Sequence, residues 1–342
     1  MLGRPALGKA GKPLSGRLDV AKVLLGVLLA ISIVSVCATN SQAAPRKAPT
    51  KVTVILGWYA EPARAGFYAA QKLGYYKAAG LDVTLLAGAD VSPEQVVGSG
   101  RAAFGYDDGD AILQAAAQHI PIVAIGASYQ KYGFIILFHA GQHIKSFADL
   151  GHRTAYIFPG SLYWTYIVKK YHLTGVTQAS YSGSLGPFIE NSSAINQGYL
   201  GVENVAAVSK GIHVGYLLVA NSGYDPYSNV IFAMHSYITA HPAIVKAFVQ
   251  ATMKGWDSYK SGYAAIDTYM NQFNKGFSAP AMDKNAVLQV PLVYGGDAVS
   301  HGVGYMSTQR WTQTEAALLY LGVLKTHVNV ASVFTDAFLR GG

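Results

Sequence analysis

Several short clusters in the 342-residue chain hold side chains that can orient a small molecule. The first runs from Gly57 to Arg64. Trp58 offers a flat face for stacking, while Glu61 and Arg64 offer a carboxylate and a guanidinium for a ligand's polar edge. An aromatic lid over the core with two solvated charges would use the same residues. Tyr68 follows closely and is read in the same two ways.

The second cluster is Asp107-Asp108-Gly109-Asp110, three carboxylates at the start of an expected helix, where the helix dipole favours negative charge. Capping accounts for Asp110. Asp107 or Asp108 can also face a ring nitrogen or an exocyclic amine. In the third cluster, Pro159-Gly160-Ser161 precedes another helix, so backbone N–H groups and the Ser161 hydroxyl can receive an anionic or carbonyl group, or Ser161 simply caps the helix. Tyr163 and Trp164 occupy the first turn of that helix, one placed for a cleft and the other for the core. The turn containing Ser184, the acid Glu203, and Tyr129 near an expected chain crossing complete the set.

Chemistry beyond binding finds little support in these residues. Gly183-Ser184-Leu185-Gly186 lacks the flanking spacing of a nucleophile elbow, and Cys37 is the sole cysteine. His139 and His143 have i,i+4 spacing but straddle a strand end, and the acidic run lacks the distal Glu of a calcium loop. We therefore expect a binding protein with no catalytic residue, no metal and no cofactor.

Loops of this kind need strands and helices to hold them. Apolar β-branched runs predict strands at Val52–Leu56, Leu81–Leu86, Ala103–Tyr106 and Ile120–Gly126. Helical spacing predicts helices at Ala63–Leu73, Pro93–Gly100 and Asp110–Gln118. This alternation argues for an α/β fold with a parallel sheet covered on both faces. The rhythm resumes after residue 139, with strands at Thr154–Phe158 and Val214–Ala220 around a helix at Ser161–Tyr171. Two extended segments, about 134–139 and 229–234, bracket this middle unit and are expected to be the crossings of a two-strand hinge. Helices follow from Pro242. The expected plan is a first lobe over 51–138, a second over 139–230, and a return to the first lobe over 231–342.

The N-terminus carries five basic residues and then an apolar run from Val23 to Val36, too short to span a bilayer, with Ser41-Gln42-Ala43 offering a cleavage site. Residues 1–43 are expected to be a signal peptide and 44–50 a flexible leader. Cys37 sits where a lipid anchor would be attached, but Val36 before it fits that signal poorly. The export expectation places the chain in the periplasm. Without those 43 residues, which hold five basic groups and one acid, the formal charge falls from +8 to +4. Lysine and arginine are scattered singly, which excludes a nucleic-acid partner.

A longer-range pattern joins these pieces. Gly57-Trp58 and Gly66-Phe67-Tyr68-Ala69-Ala70-Gln71 lead into Leu73-Gly74-Tyr75-Tyr76-Lys77 and Ala79-Gly80-Leu81-Asp82-Val83. Further on come Gly100-Arg101-Ala102-Ala103-Phe104-Gly105, Ile144–Leu150, Gln197-Gly198-Tyr199 with Glu203, and the stretch His241–Trp256. In order and spacing these motifs resemble the nitrate, sulfonate and taurine binding-protein family, in the branch that includes binders of thiamine pyrimidine precursors. The resemblance implies a bilobal periplasmic-binding-protein fold of type II, a small-molecule ligand, an ABC permease as partner and a monomeric state. It departs from the pyrimidine branch at Ala63-Arg64-Ala65, where that branch commonly has an Asn-His pair. A ring ligand suits the aromatic loops; an alkylsulfonate or nitrate would suit Arg64. The cysteine-rich motif of the related fungal pyrimidine synthases cannot be built with Cys37 alone.

Overall fold

The computed structural model describes residues 48–88 and 91–339. The expected signal peptide, Cys37 and the first residues of the leader lie outside the described residues. The chain opens with strand β1 (Thr50–Ile55), which leads through a short 3-10 turn (Pro62–Arg64) into α1 (Ala65–Lys72) and α2 (Tyr75–Ala78). Next come β2 (Leu81–Leu86), α3 (Pro93–Gly98), β3 (Phe104–Asp107), α4 (Gly109–Ala117) and β4 (Ile122–Tyr129). Helix α3 starts where the sequence indicates, since Pro93 opens it and the Ser92 hydroxyl accepts the N–H of Gln95.

The second lobe holds β5 (Phe134–His139), β6 (Thr154–Ile157), α5 (Leu162–Lys170), β7 (Thr177–Ser180), α6 (Gly186–Glu190), β8 (Ile195–Tyr199), α7 (Glu203–Ser209) and β9 (Val214–Leu218). The chain then returns through β10 (Ser228–Met234) to α8 (His235–Ala240), α9 (Pro242–Met270), α10 (Ala279–Val293), α11 (Ala298–His301) and α12 (Thr308–Leu321).

Two five-stranded sheets result, in the orders β2-β1-β3-β10-β4 and β7-β6-β8-β5-β9. Both are mixed rather than parallel. In the first, β10 runs antiparallel to β3 and β4; in the second, β5 runs antiparallel to β8 and β9. The segments expected to be the crossings are thus each the antiparallel strand of a sheet. The actual crossings are the short stretches 130–133 and 219–227. Periodicity identified these two strands, β5 and β10, but could not assign their direction, because an apolar strand buried on both faces looks alike either way, and it did not find β8, the middle strand of the second sheet.

Strand β4 is an edge strand in the sheet order, yet all eight residues are buried. The C-terminal segments cover its edge: Ala124 donates to Val333 O at 2.8 Å and Ala127 to Gly304 O at 2.9 Å. Helix α9 lies against α1 at unusually close range. A Cβ at Gly66 would fall 2.2 Å from Trp256 Cδ1, and one at Gly255 would fall 2.0 Å from Gly66 O. The two glycines let the backbones meet, and Trp256 fills the space beside them with no exposure. The C-terminal helices do not return to the first lobe alone. Helix α10 contacts β4 and α7, and α12 contacts α4 and α5, so both reach elements of each lobe. Among the described residues no helix is long and apolar enough to cross a membrane.

Candidate ligand-binding site

In open α/β lobes a ligand usually lies beyond the carboxyl ends of the strands, and here side chains near those ends of the two sheets are hydrogen-bonded to one another. Asp108, just beyond β3, accepts hydrogen bonds from the Ser228 hydroxyl at 2.6 Å and the Asn229 N–H at 3.1 Å. The Asn229 side-chain amide donates to the Tyr199 hydroxyl at 2.9 Å, and Tyr199 ends β8 of the second lobe. Gly133 lies in the first crossing and leaves room for the Tyr199 ring, since a Cβ there would fall 2.4 Å from its Cζ.

Around this junction the first lobe contributes Glu61 and Arg64. They form an ion pair at 3.1 Å with both side chains largely buried, and the guanidinium also donates to Leu56 O at 3.4 Å and sits over the Tyr106 ring. Burial pushes the Glu61 carboxyl up to about 7; Arg64 opposes the rise and Glu203 of the second lobe adds to it. Burial works against the charge on Arg64, but Glu61, Tyr106, Tyr199 and Asp108 outweigh it and hold the guanidinium charged. Asp108 is also raised, first by burial, with Ser228, Asn229 and Arg64 acting in the opposite direction.

The second lobe contributes Glu203 at the start of α7. Its carboxylate accepts the Tyr199 N–H at 2.6 Å and the Tyr181 hydroxyl at 3.0 Å, and burial raises its pKa. Glu61, Arg64, Asp108 and Glu203 are therefore brought into one electrostatic group. Tyr106, Tyr181, Tyr199, Ser228 and Asn229 join them without having been singled out from the sequence. Tyr199 was detectable, since it ends the Gln197-Gly198-Tyr199 motif. Asn229 was not, because its role depends on a backbone φ of +61° that no local pattern announces.

The other expected residues divide by burial. Trp58 is 45% exposed and packs edge-on against the equally open Tyr59, in the loop after β1. Gly160 is exposed with φ +82°; Ser161 caps α5 by position, but its hydroxyl donates to Phe158 O at 2.8 Å rather than receiving a helix N–H. Ser184 is exposed and accepts the Gly186 N–H at 3.2 Å. Tyr68, Tyr129, Tyr163 and Trp164 are almost fully buried in the cores of their lobes. The Tyr129 hydroxyl donates to Gln289 and that of Tyr163 to Gln197 at 2.8 Å, so neither Tyr163 nor Trp164 is turned outward from α5.

Asp107 accepts the Asp108 N–H at 2.7 Å and faces Glu94, and burial followed by Glu94 raises its pKa strongly. Asp110, expected as the cap, lies one turn position inside α4. Asp108 occupies the cap position, and the Asp110 carboxylate accepts the Ala111 N–H at 3.0 Å and the Tyr224 hydroxyl at 2.5 Å. Phe158 was overlooked. It follows β6 directly and is 60% exposed. Strands β1 and β6 each stand second in the order of their sheets, so the loops bearing Trp58 and Phe158 are topological counterparts. Among the described residues no group of three or more His, Cys, Asp or Glu is placed to hold a metal ion.

Polar side chains of the two lobes thus meet at one junction, and comparison with known proteins gives it a context. The riboflavin-binding protein RibY of Chloroflexus aurantiacus is 24% identical over 93% of this chain and 97% of its own. A formylaminopyrimidine-binding protein of Halalkalibacterium halodurans is 23% identical over 68% of this chain and 73% of its own. Another relative, from Legionella pneumophila, is a 4-amino-5-hydroxymethyl-2-methylpyrimidine phosphate synthase. Among solved structures, the periplasmic aliphatic sulphonate binding protein SsuA of Escherichia coli superposes with a TM-score of 0.65 at 13% identity, covering 83% of this chain and 92% of that one, which establishes the bilobal fold. The model of the NMT1/THI5-like family matches residues 61–261, from Glu61 of the ion pair through every strand after β1 and most of α9, and the chain belongs to that family.

Proposed function

We propose that the protein is the extracytoplasmic solute-binding component of an ABC importer and that it closes its two lobes on a flat heteroaromatic molecule, with a membrane permease reading the closed state. The periplasm is the compartment this reading requires, and one chain suffices for one site, so the working unit is a monomer. The observation that carries the ligand class is the state of Arg64. Its guanidinium gives one donor to Glu61 and one to Leu56 O, and its charge is balanced by Glu61 with Asp108 nearby, so a small anion there would compete with a carboxylate already in place. The junction also holds carboxylates of opposite lobes, Asp108 and Glu203, each accepting two hydrogen bonds and with lone pairs for more, and the loops after β1 and β6 carry the open rings of Trp58 and Phe158. A ring bearing N–H donors fits that chemistry. The names of two relatives, a riboflavin binder and a formylaminopyrimidine binder, support the same class.

A small-anion reading, with an alkylsulfonate or nitrate at Arg64, requires the Glu61–Arg64 pair to open. A synthase reading has a relative's name in its favour. Against it stands the lone Cys37, which cannot form the cysteine-rich motif that the family resemblance associates with the fungal synthases. A thermal-shift screen of the protein against riboflavin, substituted pyrimidines, alkylsulfonates and nitrate separates the two binding readings, and mass spectrometry of the small molecules recovered from the same incubations tests the third. A ligand at 100 times its Kd adds about 2.7 kcal/mol of stability. Shifts with ring compounds alone are expected. Shifts with the anions alone would move the site to Arg64, and slow conversion of a bound pyrimidine precursor would establish the synthase reading.

A further inference from the structure

We infer that Arg310 is the joint about which the two lobes turn: a positioning residue on the C-terminal helix α12 that pins both chain crossings at one point. This inference rests on the two-lobe capture reading for its purpose, but not for its geometry. The two crossings, 130–133 and 219–227, are the connections whose backbone must flex when the lobes move. One guanidinium holds both. It donates to Gln130 O in the first crossing, and to Asp225 O at 2.8 Å and Pro226 O at 3.3 Å in the second. It also pairs with the Asp225 carboxylate at 3.2 Å and lies 4.5 Å from the centroid of the Tyr227 ring.

Asp225 completes the joint by accepting the Tyr132 N–H at 2.8 Å, which ties the second crossing directly to the first. The planar, multi-donor geometry of arginine suits this task, because one rigid group can satisfy carbonyls converging from two chains while its charge meets the carboxylate. A lysine at the same position would keep the charge but not the fork. The joint leaves room for movement on one side. A cavity of about 640 Å³ lies beside it, between α5 of the second lobe and α12, lined by Tyr166, Lys170, Asp225, Gln313, Ala317 and Tyr320. A change in the angle between α5 and α12 can be taken up by this space while Arg310 keeps the crossings in register.

The test measures lobe separation without any ligand, so its failure is distinguishable from failure of the capture reading. Spin labels are attached at Lys77→Cys on α2 and Glu190→Cys on α6, both exposed, in the full chain carrying Cys37→Ser, and the distance distribution is read by double electron–electron resonance. Arg310→Ala is expected to widen the distribution at least twofold, and Arg310→Lys to widen it less. Leu318→Ala removes a fully buried side chain from the same helix and serves as the control for simple destabilisation; it is expected to keep the distribution narrow. A folded Arg310→Ala with the original width overturns the inference, as does equal widening by Leu318→Ala. Should Arg310→Ala not fold, Arg310→Lys decides by the same criterion.

Discussion

The Asn229 side-chain amide donates a 2.9 Å hydrogen bond to the Tyr199 hydroxyl, joining the first strand residues of the return segment to the end of β8 in the other lobe. Asn229 is buried and has a φ of +61°, a conformation that asparagine tolerates better than most residues. Two costs can therefore be separated. Asn229→Gly loses the hydrogen bond but not backbone comfort, and should destabilise by about 1 kcal/mol. Asn229→Ala loses the bond and gains strain, and should cost about 1–2 kcal/mol more. Urea unfolding of both variants checks the separation; equal stabilities would show that the backbone carries no strain there.

The approach of α1 and α9 predicts a reversal of helix propensity. Alanine normally stabilises a helix interior by about 1 kcal/mol over glycine. Here a Cβ at Gly66 would penetrate the Trp256 ring, and one at Gly255 would meet the carbonyl of Gly66, a backbone atom that cannot rotate away. Overpacking costs about 1–3 kcal/mol, and more where backbone must move, so it wins over propensity. Both variants should lower Tm, with Gly255→Ala the worse of the two. A stabilised Gly255→Ala would mean that the helices part without penalty.

The same glycine shows how far the sequence could be read. Gly66 belongs to a motif that was legible as a pattern, but its physical reason, a contact with Trp256 nearly two hundred residues later, depends on tertiary packing. Strand positions such as Phe134–His139 were legible because a short continuous apolar run is a local property. The direction of that strand and of β10 was not, since it is decided by which sheet the chain has reached. Within the site, the charged residues Glu61, Arg64, Asp108 and Glu203 stood out by type and by their place after strands. Aromatic residues did not sort themselves: Tyr129, Tyr163 and Trp164 are core, whereas Phe158 is open, and a ring's burial is set by neighbours that its own segment does not reveal.

A pH dependence follows from two acids distant from the cleft. The Asp267 carboxylate on α9 is fully buried, accepts the Tyr259 hydroxyl at 2.7 Å, and faces Asp283 of α10, with one oxygen of each acid lacking a hydrogen-bond donor among the described residues. Burial, reinforced by Asp283 and opposed by Tyr259, pushes Asp267 up to about 8. The folded pKa is raised above the unfolded value near 3.9, so the fold binds this proton more tightly. The associated stability is complete below about pH 4 and is lost as pH rises through 8. Asp267→Asn keeps an acceptor for Tyr259 and cannot ionise. Its urea unfolding free energy, relative to wild type, should therefore improve from pH 5 to about pH 8 and level off above it. Parallel curves for the two proteins would rule out a proton held by Asp267 in the folded state.

The counterpart positions of Trp58 and Phe158 make the sharpest prediction about binding. Both rings are substantially exposed, so truncating either to alanine removes little buried area, and Tm without ligand should stay within about 0.5 kcal/mol equivalent of wild type. If the two loops present their rings to one flat ligand from opposite lobes, each truncation removes stacking of about 1 kcal/mol, close to fivefold in Kd. The closed lobes make each ring's contact depend on the other lobe being in place, so the double variant should show coupling in a double-mutant cycle rather than simple addition. Titration calorimetry with riboflavin, or with whichever ring compound stabilises the protein, measures all four corners of the cycle. Loss confined to Trp58→Ala would place the ligand against the first lobe alone, and unchanged affinity in both single variants would remove the aromatic loops from the site and return the polar group of Glu61, Arg64, Asp108 and Glu203 as its sole determinant.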